Sequence, residues 1–129
     1  MLDSSALLAW LREEPGALAT EAALSRIAAI NVVNWAEVLS KLSDLGHDPI
    51  EAGQRLVTRG IIGNALLVCP LDEALAAEIG QLRAKTRSLG LSLGDRACIA
   101  LAQTLQLPIL TADRVWMKLR LGVQIQLIR

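Results

Sequence analysis

The stretch from Leu93 to Trp116, LGDRACIALAQTLQLPILTADRVW, brackets a short apolar run between two aspartates. The spacing of apolar residues in GDRACIALAQTLQ predicts a helix, and the apolar run LPIL predicts a buried strand after it. Asp95 opens that helix, and Asp113 follows the strand. A buried strand needs neither acid, so their positions call for an explanation elsewhere in the chain.

The same alternation of helix and strand extends over the rest of the sequence. Strands are predicted at AAINVV, ALLVC, LPIL and VQIQLI, with ML before Asp3 as the stub of a first strand, and helical patterns lie between them. Such alternation implies right-handed crossovers and a parallel sheet covered on both faces. We therefore expect an α/β, three-layer fold with a central, mostly parallel sheet. Because no linker or repeat interrupts it, residues 1–129 are expected to form a single domain.

Composition excludes several classes of protein. Hydrophobic residues make up 53% of the chain and charged residues 20%, which disfavours disorder. No uncharged segment is long enough to span a bilayer, and the first ten residues lack the basic start of a secretory signal. Cys69 and Cys98 lie in apolar segments without metal-ligand spacing, which favours buried, reduced thiols. We expect a cytoplasmic protein with no membrane contact.

Charge is unevenly distributed, although the formal net charge is zero. Residues 1–82 carry eleven acids and five bases, whereas residues 83–129 carry two acids and eight bases. A basic face for nucleic acid and an ordinary solvated helix surface both account for this asymmetry. The absence of Phe and Tyr disfavours a platform on which bases stack.

Acidic residues follow the predicted strands. Five acids lie just after a predicted strand or in the first turn of a predicted helix: Asp3, Glu37, Asp72, Asp95 and Asp113. In a parallel sheet the carboxyl ends of all strands lie along one edge, where ligands bind. Each acid is also explained as a helix cap, and Asn34–Glu37 and Ser92–Asp95 both fit capping boxes. Geometry from sequence therefore nominates the acids without choosing among them.

A cluster of such acids is electrostatically unfavourable unless its charge is reduced. Two carboxylates about 5 Å apart repel by roughly 3 kcal/mol at an effective dielectric of 20. Three or four together either take up protons or bind a cation. Oxygen ligands without clustered His or Cys favour a hard ion, Mg²⁺ or Mn²⁺.

Three segments resemble those of a known family, the PIN-domain nucleases, and specifically the VapC-type toxins of prokaryotic toxin–antitoxin pairs. The segments are LDSSALLAWL at the start, NVVNWAEVLSKL around Glu37, and LSLGDRACIALAQTLQLPILTADRVW. The resemblance implies that Asp3, Glu37, Asp95 and Asp113 are the catalytic and metal-binding residues, and that Asp72 is a cap. It departs from the family at the start, where only two residues precede Asp3.

The resemblance also implies an activity and partners. Family members are endoribonucleases in which Mg²⁺ or Mn²⁺ activates a water for attack on an RNA phosphodiester; their substrates include tRNA and rRNA. They commonly form homodimers and are inhibited by an antitoxin whose C-terminal segment lies beside the acids. Ser5 and Thr111 match small hydroxyl positions near the acids, and Arg96 and Arg114 are candidates for phosphate contact. Two alternatives stay open: a structure-specific DNA nuclease of the same fold, and a non-catalytic PIN-like binding domain.

Overall fold

Helices and strands alternate along the chain, as the sequence pattern predicts. The computed structural model describes residues 1–129. The helices are α1 (Ser4–Leu11), α2 (Ala17–Leu24), α3 (Val32–Asp44), α4 (Pro49–Thr58), α5 (Glu73–Thr86) and α6 (Leu93–Leu105). The strands are β1 (Ala28–Asn31), β2 (Leu66–Cys69), β3 (Ile109–Thr111) and β4 (Ile125–Leu127), and short 3-10 helices span Arg87–Leu89 and Arg114–Lys118.

Leu2 joins two pairs of parallel strands into one sheet. β1 pairs with β2, and β3 pairs with β4, each in parallel register. Leu2 donates its backbone N–H to the carbonyl of Ala29 in β1 (2.7 Å) and forms a parallel bridge with Leu110 in β3. The predicted stub of a first strand is thus present, and it occupies the centre of the sheet.

The resulting strand order is β2, β1, Leu2, β3, β4. From Leu2 the chain first builds outward in one direction through β1 and β2, and then in the other through β3 and β4. The order reverses beside Leu2, and the crevice at the carboxyl edge of such a reversal is where open α/β sheets bind ligands. Asp3 is the residue that follows Leu2.

The two faces of the sheet support separate hydrophobic cores. Neighbouring residues of a strand point to opposite faces, so Leu110 packs in the cluster with α1, α3 and α4, whereas Ile109 packs in the cluster with α5 and α6. The same alternation separates Leu2 from Met1. Helices on both faces of a parallel sheet make the three-layer α/β fold that the sequence predicts.

Short polar side chains fix where most helices begin. Asp3, Asn31, Asp48, Asp72 and Ser92 each accept a hydrogen bond from a backbone N–H in the first turn of the helix that follows. These caps satisfy N–H groups that lack intrahelical partners. The cap at Asn31 also corrects one prediction: the strand predicted over AAINVV ends at Asn31, because the Asn31 side chain starts α3 at Val32.

Two smaller expectations are also modified. DRVWMKL forms a 3-10 helix of five residues, Arg114–Lys118, in place of the predicted short helix. Both cysteines are free; Cys98 is buried as expected, but Cys69 is only partly buried because β2 is an edge strand. None of the helices combines the length and apolar character that crossing a bilayer requires.

Candidate functional site at the carboxyl edge of the sheet

Asp3 is a buried carboxylate at the reversal of strand order. It is 5% exposed, and its N–H donates to the carbonyl of Leu110 (3.0 Å), which fixes the backbone at the sheet edge. Its carboxylate accepts from the Ser4 N–H (2.7 Å), the Ser5 hydroxyl (2.6 Å) and the Thr111 hydroxyl (2.9 Å). Burial raises the pKa of Asp3 and the charge of Asp95 adds to that effect, while these hydrogen bonds oppose it.

Asp95 lies in the first turn of α6, close enough for its charge to act on Asp3. Its side chain accepts from the Ser92 N–H (2.7 Å), and its own N–H donates to the Ser92 hydroxyl (3.1 Å). This confirms the capping box predicted over Ser92–Asp95. Asp95 is therefore held by the start of its own helix, and its charge acts on Asp3.

Glu37 contacts both α1 and α6 from its position on α3. The Ser4 hydroxyl donates to Glu37 Oε2 (2.7 Å), and a Cβ built on Gly94 would lie 3.2 Å from the same oxygen. The capping box predicted over Asn34–Glu37 is wrong. Asn31 caps α3, which places Asn34 inside the first turn, and Glu37 is free to bond with Ser4.

Asp113 follows β3 and is connected to Asp3 through Thr111. The Asp113 N–H donates to Thr111 Oγ1 (3.1 Å), and that hydroxyl donates to Asp3 Oδ2. The Asp113 side chain is exposed and accepts from the Val115 N–H (2.8 Å), capping the 3-10 helix. Its backbone is at the acidic edge, while its carboxylate is directed to its own helix.

The predicted site residues Ser5 and Thr111 hold Asp3 in place. Both hydroxyls donate to Asp3 Oδ2, and the Ser5 oxygen in turn accepts from the Ala112 N–H (2.9 Å). These contacts link α1, β3 and the residue after it at a single carboxylate. Since Thr111 is fully buried and Asp3 nearly so, the hydrogen bonds offset much of the cost of burying the acid.

The two candidate phosphate-binding arginines differ in their surroundings. Arg96 donates from Nη1 to the carbonyl of Leu91 (3.0 Å), and its Nε is buried without a partner. Arg114 is exposed and forms no ion pair. Arg96 therefore has a structural contact next to the α6 N-terminus, whereas the Arg114 guanidinium is accessible to a ligand.

The chemistry of the four acids fits a hard divalent cation, because all of their donors are carboxylate oxygens. Nevertheless, no group of three or more His, Cys, Asp or Glu side chains is arranged closely enough to hold a metal ion. The reason is local: Asp95 and Asp113 are each bonded to a helix start, and Glu37 to Ser4. The acids share one edge of the sheet, and their assignment as joint ligands stays a prediction.

Sequence reasoning missed three residues of this edge: Ser4, Asn31 and Gly94. Ser4 is indistinguishable in sequence from an ordinary first-turn serine, and Asn31 lies within an apparently apolar strand. The available signal is the polar pair Asn31 and Asn34, spaced one helical turn apart inside an apolar run. Both are fully buried, which is unusual for asparagine.

Comparisons with known proteins agree with this architecture. The sequence model of the PIN domain family matches residues 1–120. A solved structure described as a toxin–antitoxin complex from Klebsiella pneumoniae superposes with a TM-score of 0.70, at 17% identity, covering 99% of this chain and 96% of that one. No curated protein sequence matches the chain.

The chain therefore belongs to the PIN domain family, and the predicted resemblance to that family is confirmed. PIN domains are typically nucleases, which places the protein in a family of hydrolases that act on phosphodiester bonds and generally use divalent metal ions. The structural likeness, at 17% identity, independently supports the fold.

Proposed function

We propose that this protein is an Mg²⁺- or Mn²⁺-dependent endoribonuclease and the VapC-type toxin of a toxin–antitoxin pair. The observation that carries the proposal is the position of Asp3 at the reversal of strand order in a PIN fold, with Glu37 bonded to the adjacent Ser4 and Asp95 near enough for its charge to act on Asp3. Ligand sites of open α/β sheets form at this position. The function applies to residues 1–129 acting as one domain.

Asp3, Asp95 and Asp113 are the proposed direct metal ligands, and Glu37 binds the metal through a water or orients the water that attacks the phosphodiester. The buried position of Asp3 suits the first role, because Ser5 and Thr111 hold its carboxylate against rotation. The charge of Asp95 contributes to the raised pKa of Asp3, which supports a short separation between the two acids. A divalent ion, when bound, lowers the pKa of its water and offsets charge that develops on the phosphate.

The proposed substrate is an RNA such as a tRNA or an rRNA loop. The uneven charge supports this: seven of the eight bases in residues 83–129 form no ion pair with an acid, the exception being Arg129. Exposed cations that no acid neutralises are available to phosphates. Of these, Arg114 immediately follows a proposed ligand.

An antitoxin partner and a homodimer complete the proposal, with both acting in the cytoplasm. The antitoxin is supported by the similarity to a structure described as a toxin–antitoxin complex. Exposed apolar side chains, among them Leu18 (79% exposed) and Ile50 (70% exposed), provide surface that such partners bury.

The test compares cleavage of RNA by the wild type, Asp95→Asn and Asp72→Asn with Mg²⁺, with Mn²⁺ and with EDTA. Asn retains an oxygen acceptor for the Ser92 N–H, so Asp95→Asn keeps the α6 cap while removing the charge. Asp72 is a matched control, because it caps α5 by accepting from the Leu75 N–H (2.8 Å). We expect metal-dependent cleavage that Asp95→Asn loses and Asp72→Asn retains.

Equal activity of the wild type and Asp95→Asn would overturn the assignment of the acids. Loss of activity in Asp72→Asn with retention in Asp95→Asn would move the site toward β2. Cleavage of structured DNA in place of RNA would favour the DNA nuclease alternative.

A further inference from the structure

A chain of buried polar side chains connects the end of β1 to Glu37. Its members are Asn31 and Asn34, both fully buried, and Ser4, which is 4% exposed. Polar groups that leave water without forming hydrogen bonds destabilise the fold. Three such side chains in contact at one end of a core therefore require a mutually satisfying arrangement.

The direction of every hydrogen bond in this chain is determined from its first member. Asn31 Oδ1 accepts from the N–H groups of Val33 and Asn34, both at 2.9 Å, so Asn31 Nδ2 is directed away from the helix start and donates to Asn34 Oδ1. Asn34 must then donate from Nδ2, and it does so to Ser4 Oγ (3.0 Å).

The last step places the Ser4 proton on the bond to Glu37. Because Ser4 Oγ accepts from Asn34, its single O–H is available to donate, and the nearer acceptor is Glu37 Oε2 at 2.7 Å, compared with 3.2 Å to the Asn34 carbonyl. A chain of this kind polarises each bond in the same sense, which strengthens the terminal one.

The chain restrains a side chain that would otherwise move freely. Glu37 is an exposed residue of α3, and an unrestrained glutamate side chain samples many rotamers and loses that freedom when it is ordered. Ser4 Oγ and Gly94 contact Oε2, whereas Oε1 has no hydrogen-bond partner in the protein. Ser4 also donates its backbone N–H to Asp3, so one residue contacts two acids of the edge.

We infer that Ser4, Asn34 and Asn31 are positioning residues that hold the Glu37 carboxylate at the acidic edge, with Oε2 bonded to Ser4 and Oε1 free to contact water. The inference rests on the proposed nuclease function, and goes beyond it by assigning a role to three residues outside the acidic quartet. Asn31 fixes the hydrogen-bond chain to the start of α3, Asn34 sets the direction of the next hydrogen bond, and Ser4 donates to Glu37.

The experiment compares Ser4→Ala with Ser40→Ala. Ser40 lies on the same helix as Glu37 and donates its hydroxyl to the Ala36 carbonyl (2.8 Å), so it controls for loss of a serine hydroxyl near α3. We expect Ser4→Ala to lower kcat for RNA cleavage by about 10- to 100-fold with little change in KM, as for partners that orient metal-site ligands. Ser40→Ala should match the wild type.

Two further measurements separate positioning from general stability. In a Glu37→Gln background, adding Ser4→Ala should lower kcat much less than it does in the wild type, because both changes act on one group. In the metal-free protein, the Asn34 side-chain amide resonances should shift in Ser4→Ala, since the Nδ2 donor loses its acceptor. Ser4→Cys, with a weak donor of similar shape, should give an intermediate kcat and serves if Ser4→Ala folds poorly.

If the wild type is active and Ser4→Ala and Ser40→Ala have the same kcat as the wild type, the positioning role is overturned and the proposed function stands. An inactive wild type would overturn the proposed function. In that case calorimetric titration with Mn²⁺ alone still tests the positioning role, which requires weaker binding by Ser4→Ala than by the wild type; equal affinities, or no binding by either, would overturn it.

Discussion

Gly94 in α6 and Glu37 in α3 lie so close that a Cβ at position 94 would be 3.2 Å from Glu37 Oε2 and 3.4 Å from Asn34 Nδ2. Gly94 is buried and has an ordinary helical backbone. A glycine at this position is therefore explained by the close contact with Glu37 and Asn34, and not by a positive φ. The absence of a side chain at 94 gives Glu37 and its hydrogen-bonded partners the space they occupy. The sequence of α6 thus affects the geometry of an acid on α3.

Gly94→Ala should therefore displace Glu37 and lower RNA cleavage, by about 10- to 100-fold, while the protein remains folded. Gly80→Ala is the matched control: Gly80 is exposed in α5, and nothing lies within 4 Å of the position that a Cβ would take there. That change should raise the free energy of unfolding by about 0.4–1 kcal/mol without altering cleavage. Full activity of Gly94→Ala would contradict the proposed importance of the Glu37 position.

Much of the fold follows from local sequence signals. Apolar periodicity locates α5 and α6, and the acids before helices act as caps at Asp3 and Asp72, because these features depend only on neighbouring residues. The parallel, three-layer arrangement is predicted from the alternation of helices and strands, which can also be read from local sequence. By contrast, the pairing of Leu2 with both β1 and β3 depends on residues 27 and 108 positions away, and a two-residue stub carries little signal for it.

The site is predicted less completely because its contacts are long-range. The four acids stand out through their positions after strands, but the partners of Glu37 come from α1 and α6. Asn31 falls inside a predicted strand. In sequence, an asparagine that caps a helix within an apolar run looks the same as a single polar residue inside a strand. Capping and site formation use the same residue types, so sequence alone does not separate them.

Arg114 and Arg96 should respond differently to replacement by glutamine. Arg114 is exposed and free of ion pairs, so Arg114→Gln should weaken RNA binding and reduce the slope of log affinity against log salt by about 1. Arg96→Gln should instead lower the free energy of unfolding by about 0.5–1.5 kcal/mol, because it loses the bond to the Leu91 carbonyl. Salt-dependent binding and chemical denaturation of both variants test this; identical salt slopes for Arg114→Gln and the wild type would contradict it.

The two thiols should differ in reactivity. Burial, and then the charge of Asp3, raise the pKa of Cys98 well above the usual 9.0. Burial also raises the pKa of Cys69, but that thiol is only partly buried and so stays within reach of solvent. A raised pKa keeps a thiol protonated and unreactive near neutral pH. Iodoacetamide should therefore label Cys69 slowly and Cys98 only after denaturation, as read by mass spectrometry.

Cys69→Ser, which should take up no label when folded, is the control for this labelling. Equal labelling of both native thiols would contradict the buried position of Cys98.

The connection between α1 and α2 is tied to the residues after β4 through Glu14. Its carboxylate contacts Arg129 (2.8 Å) and Arg12 (3.0 Å), and a Cβ at the nearby Gly16 (φ 98°) would lie 2.7 Å from the Ile128 carbonyl. The hydrogen bond from Arg129 is the main cause that lowers the pKa of Glu14 from its usual 4.5. This charged contact should make the stability of the connection depend on acid.

A lowered folded-state pKa means that the ionised form stabilises the fold. The contribution of Glu14 should be present above pH 4.5 and lost as the pH falls through its lower folded-state value. We therefore expect Glu14→Gln to have a lower Tm than the wild type at neutral pH, and the difference to shrink as the pH falls below 4.5. Arg129→Gln should reproduce the same pH dependence, because it removes the other partner of the contact. A Tm difference that stays constant well below pH 4.5 would show that the charge of Glu14 is not its source.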